Sequence, residues 1–239
     1  MKSGRSVSVI LAGYNEEKVI EKSIQRLTES LQNAFLQWEL ILIDDGSLDS
    51  TGLRMRRFAR ENPNIRLIEN GINLNFGTSV LRGFAAARYD YIVYNACDLP
   101  LTPQDMTDAV IHMKKNIDVL VFQRKSYRAA IWRKITSFGN RLLLRLLFPG
   151  LCRGTPDLNF TQIYKREALR QIMPLARSPI FVWPELVFRA KLKHMTVKNK
   201  KVKFEVENVR GGAFGHPHDM IWGIYDMLRF RIRLWKKCI

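Results

Sequence analysis

At 239 residues the chain is long enough for one large domain, or a domain with a tail. An apolar fraction of 46% supplies a packed core and excludes a disordered chain. Lys and Arg number 39 against 22 Asp and Glu, a formal charge of +17, so the expected partner is anionic: nucleic acid, an anionic membrane surface or a phosphorylated substrate.

In chain order, Val7 to Leu11 reads as a buried strand and Glu16 to Leu31 as a helix. Glu39 to Ile43 is a second strand. Asp49 or Ser50 then caps a helix ending near Arg60, because a short oxygen side chain satisfies the free N–H groups of a helix start. Ile65 to Ile68 is a third strand, followed by a helix over Thr78 to Arg88. Tyr91 to Tyr94, a helix over Pro103 to Lys115, and Val119 to Phe122 complete the run. Alternation of strand and helix through residues 7–122 predicts an α/β fold, with a mainly parallel sheet and helices on both faces.

The pattern changes after Asp118. No acidic residue occurs before Asp157, while eight Lys or Arg do. Ile131, Ile135, Phe138, Leu142 and Leu146 recur at helical spacing, flanked by Lys134, Arg141 and Arg145. Strand-like Phe160 to Tyr164, helical Pro184 to Lys193 and a strand at Val202 to Val206 follow. From Asp219 a basic helix closes the chain, with Ile221, Ile224, Leu228, Ile232 and Trp235 along one side. No stretch reaches about 18 uncharged apolar residues, so any membrane contact is expected at the surface. Cys97, Cys152 and Cys238 form no ligand-spaced cluster and are expected as reduced cytosolic thiols.

The residues that carry chemistry sit where strands end. Ile41-Leu42-Ile43 runs into Asp44-Asp45-Gly46, and the first strand runs into Tyr14-Asn15-Glu16-Glu17. In an open α/β sheet these C-terminal strand ends border the ligand crevice. Carboxylates there accept hydrogen bonds from a base and from ribose hydroxyls. These two turns, in this order, resemble the nucleotide-sugar half of a family 2 glycosyltransferase of the GT-A fold. The resemblance covers about residues 6–165 and the tail only by character. It implies a nucleotide diphosphate sugar as donor, with Glu16 and Asp45 lining the base and ribose pocket, Tyr14 as its wall and Asp44 bracing the turn. Asn73 to Gly77 stands where the family carries asparagine and glycine before a helix, which adds Gly77 to the donor site. The family's Asp-x-Asp metal motif falls on Ala96-Cys97-Asp98, where only the second acid is present. Asp98 is thus the expected ligand for Mg2+ or Mn2+ and a catalytic residue. The missing acid leaves a weaker metal site, a compensating ligand or lost activity as the alternatives.

The middle of the chain resembles the polyprenyl-phosphate branch, of the dolichol-phosphate mannose synthase type. That likeness implies acceptor-phosphate binding by Arg124, Arg133 and Ser137, with Arg210 on a glycine-rich loop as a fourth candidate. Arg133 and Ser137 share one helix face at i, i+4, and guanidinium forks with a hydroxyl suit a phosphate monoester. Asp157 is expected beside the donor sugar, and as the base if the acceptor is a hydroxyl. The organisation implied is a glycosyltransferase domain over 1–215, including a basic amphipathic interface segment at about 124–153. A basic amphipathic helix over 216–239 completes it, and the protein is expected at the cytoplasmic face of a membrane. A soluble acceptor is the first alternative. A non-catalytic nucleotide- or nucleic-acid-binding protein is the second, although no zinc-finger spacing or RNA-binding aromatic signature occurs.

Overall fold

The computed structural model describes residues 2–125, 131–174, 176–202 and 217–236. One seven-stranded sheet organises them, in the order β3-β2-β1-β4-β6-β5-β7. β1 (Ser3–Gly13) is flanked in parallel by β2 (Phe35–Asp44) and β4 (Tyr91–Ala96), and β3 (Ile65–Glu69) extends β2. The chain therefore fills one side of β1, then crosses to the other. That reversal opens a crevice beyond the carboxyl ends of β1 and β4. β6 (Gln162–Lys165) inserts antiparallel between β4 and β5 (Val119–Arg124), and β7 (Val197–Val202) closes the edge parallel to β5.

Alternation along the strands sends side chains to two cores. Val7, Val9, Leu11, Leu40 and Leu42 face α1 (Ile20–Ala34), α2 (Thr51–Glu61) and α4 (Pro103–His112), which contribute Ile24, Leu27, Leu31, Met55 and Val110. Ile10, Ile41 and Ile43 face the other way, toward α3 (Phe76–Ala86), α5 (Ile131–Leu147), α8 (Val182–Leu192) and α9 (Pro217–Trp235). The short helices α6 (Pro149–Cys152) and α7 (Arg166–Ile172) pack on this second core as well. Gly83 lets α3 lie close on the sheet, since a Cβ there would meet Ile10 Cγ2 at 2.6 Å and Ile43 Cδ1 at 2.8 Å.

The expected fold class is the observed one, with four differences of element. α1 starts at Ile20 rather than Glu16, because Asn15 has a positive φ of 55° and the Glu16 amide is held by Thr51 Oγ1 at 2.7 Å. α3 spans Phe76–Ala86 rather than Thr78 to Arg88, since the Arg88 amide bonds to Glu39 Oε1 at 2.8 Å instead of continuing the helix. α4 ends at His112, where Met113 adopts an extended conformation. An additional strand runs over Val197–Val202, and of the strand expected from Val202 to Val206 residues 203–206 fall outside the described part.

The helical stripes of α5 and α9 are real, but they do not face the core. α5 buries Leu144, while Phe138, Leu142 and Leu146 of the sequence stripe point to solvent. α9 buries Gly223, Asp226, Met227 and Phe230 and exposes Ile221, Trp222, Ile224, Tyr225, Leu228, Ile232 and Trp235. Just beyond the end of α5, Phe148 packs edge-on to Phe230 of α9, 5.7 Å between ring centroids. Exposed Arg141, Arg145, Arg229, Arg231 and Lys236 are spread among the outward apolar side chains.

Candidate active site

Two turns at the C-terminal sheet edge are sewn together by reciprocal hydrogen bonds. The Asn15 amide donates to Ser47 Oγ at 3.1 Å, and the Leu48 amide donates back to Asn15 Oδ1 at 2.8 Å. Glu17 N donates to Asp49 Oδ2 and Ser50 N to Glu17 Oε2, each at 3.2 Å. The Asp45 amide donates to the Gly13 carbonyl at 3.0 Å. At the start of α2 it is Asp49 that supplies the side-chain oxygen. It accepts from the Thr51 amide at 2.9 Å, and Ser50 occupies the cap position without a side-chain bond. Burial pushes the Asp49 carboxyl up, but the Thr51 and Glu17 donors outweigh it and hold its pKa below the ordinary 3.8.

Asp44 and Asp45 are both buried and do different work. Asp44 Oδ1 accepts from the Ser47 amide at 3.0 Å, and its carboxylate lies against Gly52 in the first turn of α2, so it braces its own turn. Asp45 Oδ1 accepts from Leu74 N at 2.9 Å and from Asn70 Nδ2 at 2.7 Å, tying the third β–α turn to the second. Gly46 completes the junction. Its φ is +75°, and a Cβ would sit 2.4 Å from the Ile72 carbonyl carbon.

The fourth turn brings Asp98 to the same edge, exposed, directly after buried Cys97. Leu99 takes a positive φ of 47° to make that turn. Burial pushes the Cys97 thiol well up, and the neighbouring Glu16 and Asp98 carboxylates push it further. The thiol donates to the Ala12 carbonyl at 3.2 Å, so Cys97 is an inert core group and not a metal ligand. The acids thus stand in strand order: Asp45 beyond β2, Glu16 beyond β1, Asp98 beyond β4. The strands that carry the outer pair are two spacings apart, about 10 Å. Tyr14, 40% exposed, stands beside them at the end of β1.

Two of the expected site residues have close protein partners. Asp157 is paired: Arg124 Nε and Nη2 donate to its two oxygens at 2.8 and 2.9 Å. The Arg124 guanidinium also lies 5.0 Å from the Phe160 ring centroid. Arg124 is therefore a clamped partner of Asp157, and a phosphate reaching it would share it with that carboxylate. Gly77 serves packing: a Cβ there would lie 2.0 Å from the Arg177 carbonyl oxygen. Ser137 is half-buried on α5, and its carbonyl accepts from Arg141 Nε at 3.2 Å. The Arg133 side chain and all of Arg210 lie outside the described residues.

The structure adds residues that the motifs did not single out. Asn70 bridges Asp45 and Ser79 Oγ, and its place directly after a strand was the available signal. Phe76, Tyr94 and Trp183 form an aromatic cluster behind the crevice, with Tyr94 and Trp183 centroids 5.0 Å apart. Glu185 is buried and accepts from the Ala176 amide at 2.7 Å and from Arg189 Nε at 2.6 Å, a structural anchor. A separate groove of about 490 Å³ between α1 and α4, lined in part by Arg26, Glu29, Asn33, Gln104 and Asp108, shares no residue with the carboxylate turns.

The family model for glycosyl transferase family 2 matches residues 8–173, which include all of these turns. The chain belongs to that family. Among curated members, the undecaprenyl-phosphate 4-deoxy-4-formamido-L-arabinose transferases of Salmonella choleraesuis (strain SC-B67) and Salmonella paratyphi B are each 29% identical over 143 residues. That match takes in 59% of this chain and 43% of each relative, so the chain matches less than half the length of these transferases. Among solved structures, glucosyl-3-phosphoglycerate synthase from Mycobacterium tuberculosis with Mn2+, UDP and phosphoglyceric acid has a TM-score of 0.70 at 22% identity, covering 95% of this chain and 79% of that one. The same synthase with Mg2+ and UDP gives 0.71 at 20% identity, covering 95% and 79%. These likenesses share the fold.

The family 2 edge in this chain offers a metal little from the protein. Among the described residues no three His, Cys, Asp or Glu side chains group to hold an ion. The Ala96 side chain has no donor atom, and Cys97 is a buried thiol. Asp98 supplies one hard oxygen ligand suited to Mg2+ or Mn2+, ions that keep waters and take further oxygens from a diphosphate.

Proposed function

We propose that this protein is a glycosyltransferase that moves a sugar from a nucleotide diphosphate sugar to a polyprenyl phosphate at the cytoplasmic surface of a membrane. The observation that carries the donor half is the row of Asp45, Glu16 and Asp98 beyond β2, β1 and β4, on turns bonded to one another, in a family 2 chain. Asp45 and Glu16 receive the nucleoside, with Tyr14 as wall. Asp98 faces the diphosphate and is the residue that would hold a divalent ion arriving with it.

The acceptor half is supported by the names of the undecaprenyl-phosphate relatives and by the outward apolar stripe of α5, which carries Ser137. A phosphate monoester is largely ionised at neutral pH, since its second pKa lies near 6. Its oxygen attacks the anomeric carbon, the bond from that carbon to the diphosphate breaks, and the nucleotide leaves with the electron pair. A single displacement inverts the anomeric centre. No protein base is required, in keeping with an Asp157 already held by Arg124. Attachment is peripheral in this reading; no described helix is long and apolar enough to cross a membrane.

A second reading keeps the donor and replaces the lipid by a soluble acceptor. It is favoured by the likeness over 95% of the chain to a synthase solved with phosphoglyceric acid. One experiment separates the two. Labelled UDP-, GDP- and dTDP-sugars are incubated with protein and membrane lipid, and the organic phase is counted. The first reading expects label in that phase, lost in Asp45→Ala. Label only in water-soluble product supports the second, and nucleotide binding without any product would overturn transfer altogether.

A further inference from the structure

Among the described side chains of α9 there is one buried acid, and its position is unusual. Asp226 lies on the inward side of the helix with Gly223, Met227 and Phe230, where an apolar side chain would pack without a desolvation cost. Its Oδ2 accepts from two successive backbone amides, Arg177 N and Ser178 N, both at 3.0 Å. Glu185 on α8 holds the preceding amide, Ala176 N, at 2.7 Å. Two buried carboxylates from two helices thus fix three consecutive peptides.

What those peptides touch is the start of α3. The Arg177 carbonyl oxygen lies 2.0 Å from where a Cβ of Gly77 would be, so the first turn of α3 rests directly on it. The other end of that turn is Leu74, whose amide donates to Asp45 Oδ1 at 2.9 Å. Between them, Asn75 is held at a positive φ of 69°, and Phe76 packs edge-on against Tyr94 at 5.4 Å. The segment from Leu74 to Gly77 is therefore gripped between the Arg177 peptide and the acid assigned to the nucleoside.

We propose that Asp226 is a positioning residue for the nucleotide site, setting the Leu74–Gly77 turn, and through it Asp45, by way of the Arg177 and Ser178 peptides. The inference rests on the donor reading above. Removing the carboxylate frees the Arg177 peptide to shift, and the turn loses the surface it rests on. Asp45 then presents its carboxylate less firmly, and nucleotide binding weakens although no contact residue has changed.

The test uses the full chain and isothermal titration with UDP, GDP and dTDP in the presence of Mn2+. Asp226→Ala is expected to weaken the nucleotide that binds the parent protein by about fivefold or more. Asp226→Asn, which keeps an acceptor oxygen, is expected to recover part of that loss. Val110→Ala in α4, a core truncation on the opposite face of the sheet, is expected to lower the melting temperature and leave the affinity unchanged. Hydrogen exchange at the Leu74 amide is expected to quicken in Asp226→Asn, which gives a readout even if Asp226→Ala does not fold. Unchanged affinity in a folded Asp226→Ala, or unchanged Leu74 exchange in Asp226→Asn, would overturn the role of Asp226. A parent protein that binds none of the three nucleotides would overturn the donor reading itself.

Discussion

Asp45 serves two demands with one side chain. Its Oδ1 satisfies the Leu74 amide and Asn70, and the nucleoside reading asks the same carboxylate to meet a ligand. Truncation to Ala leaves both donors without their acceptor, a loss of about 1–3 kcal/mol. Asp45→Ala should therefore lower the urea midpoint as well as abolish nucleotide binding, and titration of the folded variant separates the two effects. The Arg124–Asp157 pair makes a different prediction. Because it is largely shielded from solvent, Arg124→Ala and Asp157→Ala should each destabilise by about 1–3 kcal/mol, and a double-mutant cycle in urea should show coupling between them. Asp157→Asn should retain measurable transfer, which a catalytic base would not allow. Asp49 supplies the pH dependence. Its folded pKa lies below 3.8, so its stabilising contribution is complete above that value and is lost as pH falls through the lower, folded value. Acid unfolding of Asp49→Asn should show a shallower slope in that window. The pairing of Arg124 with Asp157 was not legible in the sequence, since 33 residues separate them and only the fold brings β5 against the segment before β6. Asp44 as a brace was legible, because a strand, an acid and a turn are local.

At the level of elements, local chemistry sets most boundaries. Thr102 precedes Pro103 and accepts from the Asp105 amide at 3.1 Å, closing the start of α4. Thr102→Ala should cost about 0.5–2 kcal/mol, read as a lower melting temperature with nucleotide affinity preserved. The strands of the parallel half were readable because both their faces are covered and they run as continuous apolar stretches. β7 was not, for the opposite reason. Its sequence is Val-Lys-Asn-Lys-Lys-Val, the lysine-rich dress of an edge strand, which suppresses the apolar signal. The start of α1 moved because a distant hydroxyl, Thr51 Oγ1, claims the Glu16 amide. Periodicity found the stripe of α5 but not what lies against it, since a period identifies a face and is silent about its neighbour.

For the whole molecule, the outward faces of α5 and α9 dominate. Phe138 is 63% exposed, Leu146 70% and Trp235 85%, with arginines among them, on helices whose inner sides share one hydrophobic core. Such a surface fits an anionic bilayer, where each basic residue contributes about 1 kcal/mol and tryptophan favours the headgroup level. Flotation with phosphatidylglycerol vesicles should carry the protein upward at low salt and less at high salt. Ile221→Asp with Leu228→Asp should abolish flotation without altering nucleotide affinity, and persistence of flotation in that variant would exclude this face.

The antiparallel insertion of β6 bears on how the chain is made. β4 and β5 are successive in sequence yet never touch as neighbours, because a strand synthesised after α5 separates them. A nascent chain that has completed β5 therefore holds β4 as an open, apolar border, the kind of edge that recruits other chains. Closure waits on Gln162–Lys165, so the basic segment between β5 and β6 must leave the ribosome before the sheet can zip shut. Truncations ending between those strands should be aggregation-prone, whereas the full chain should not.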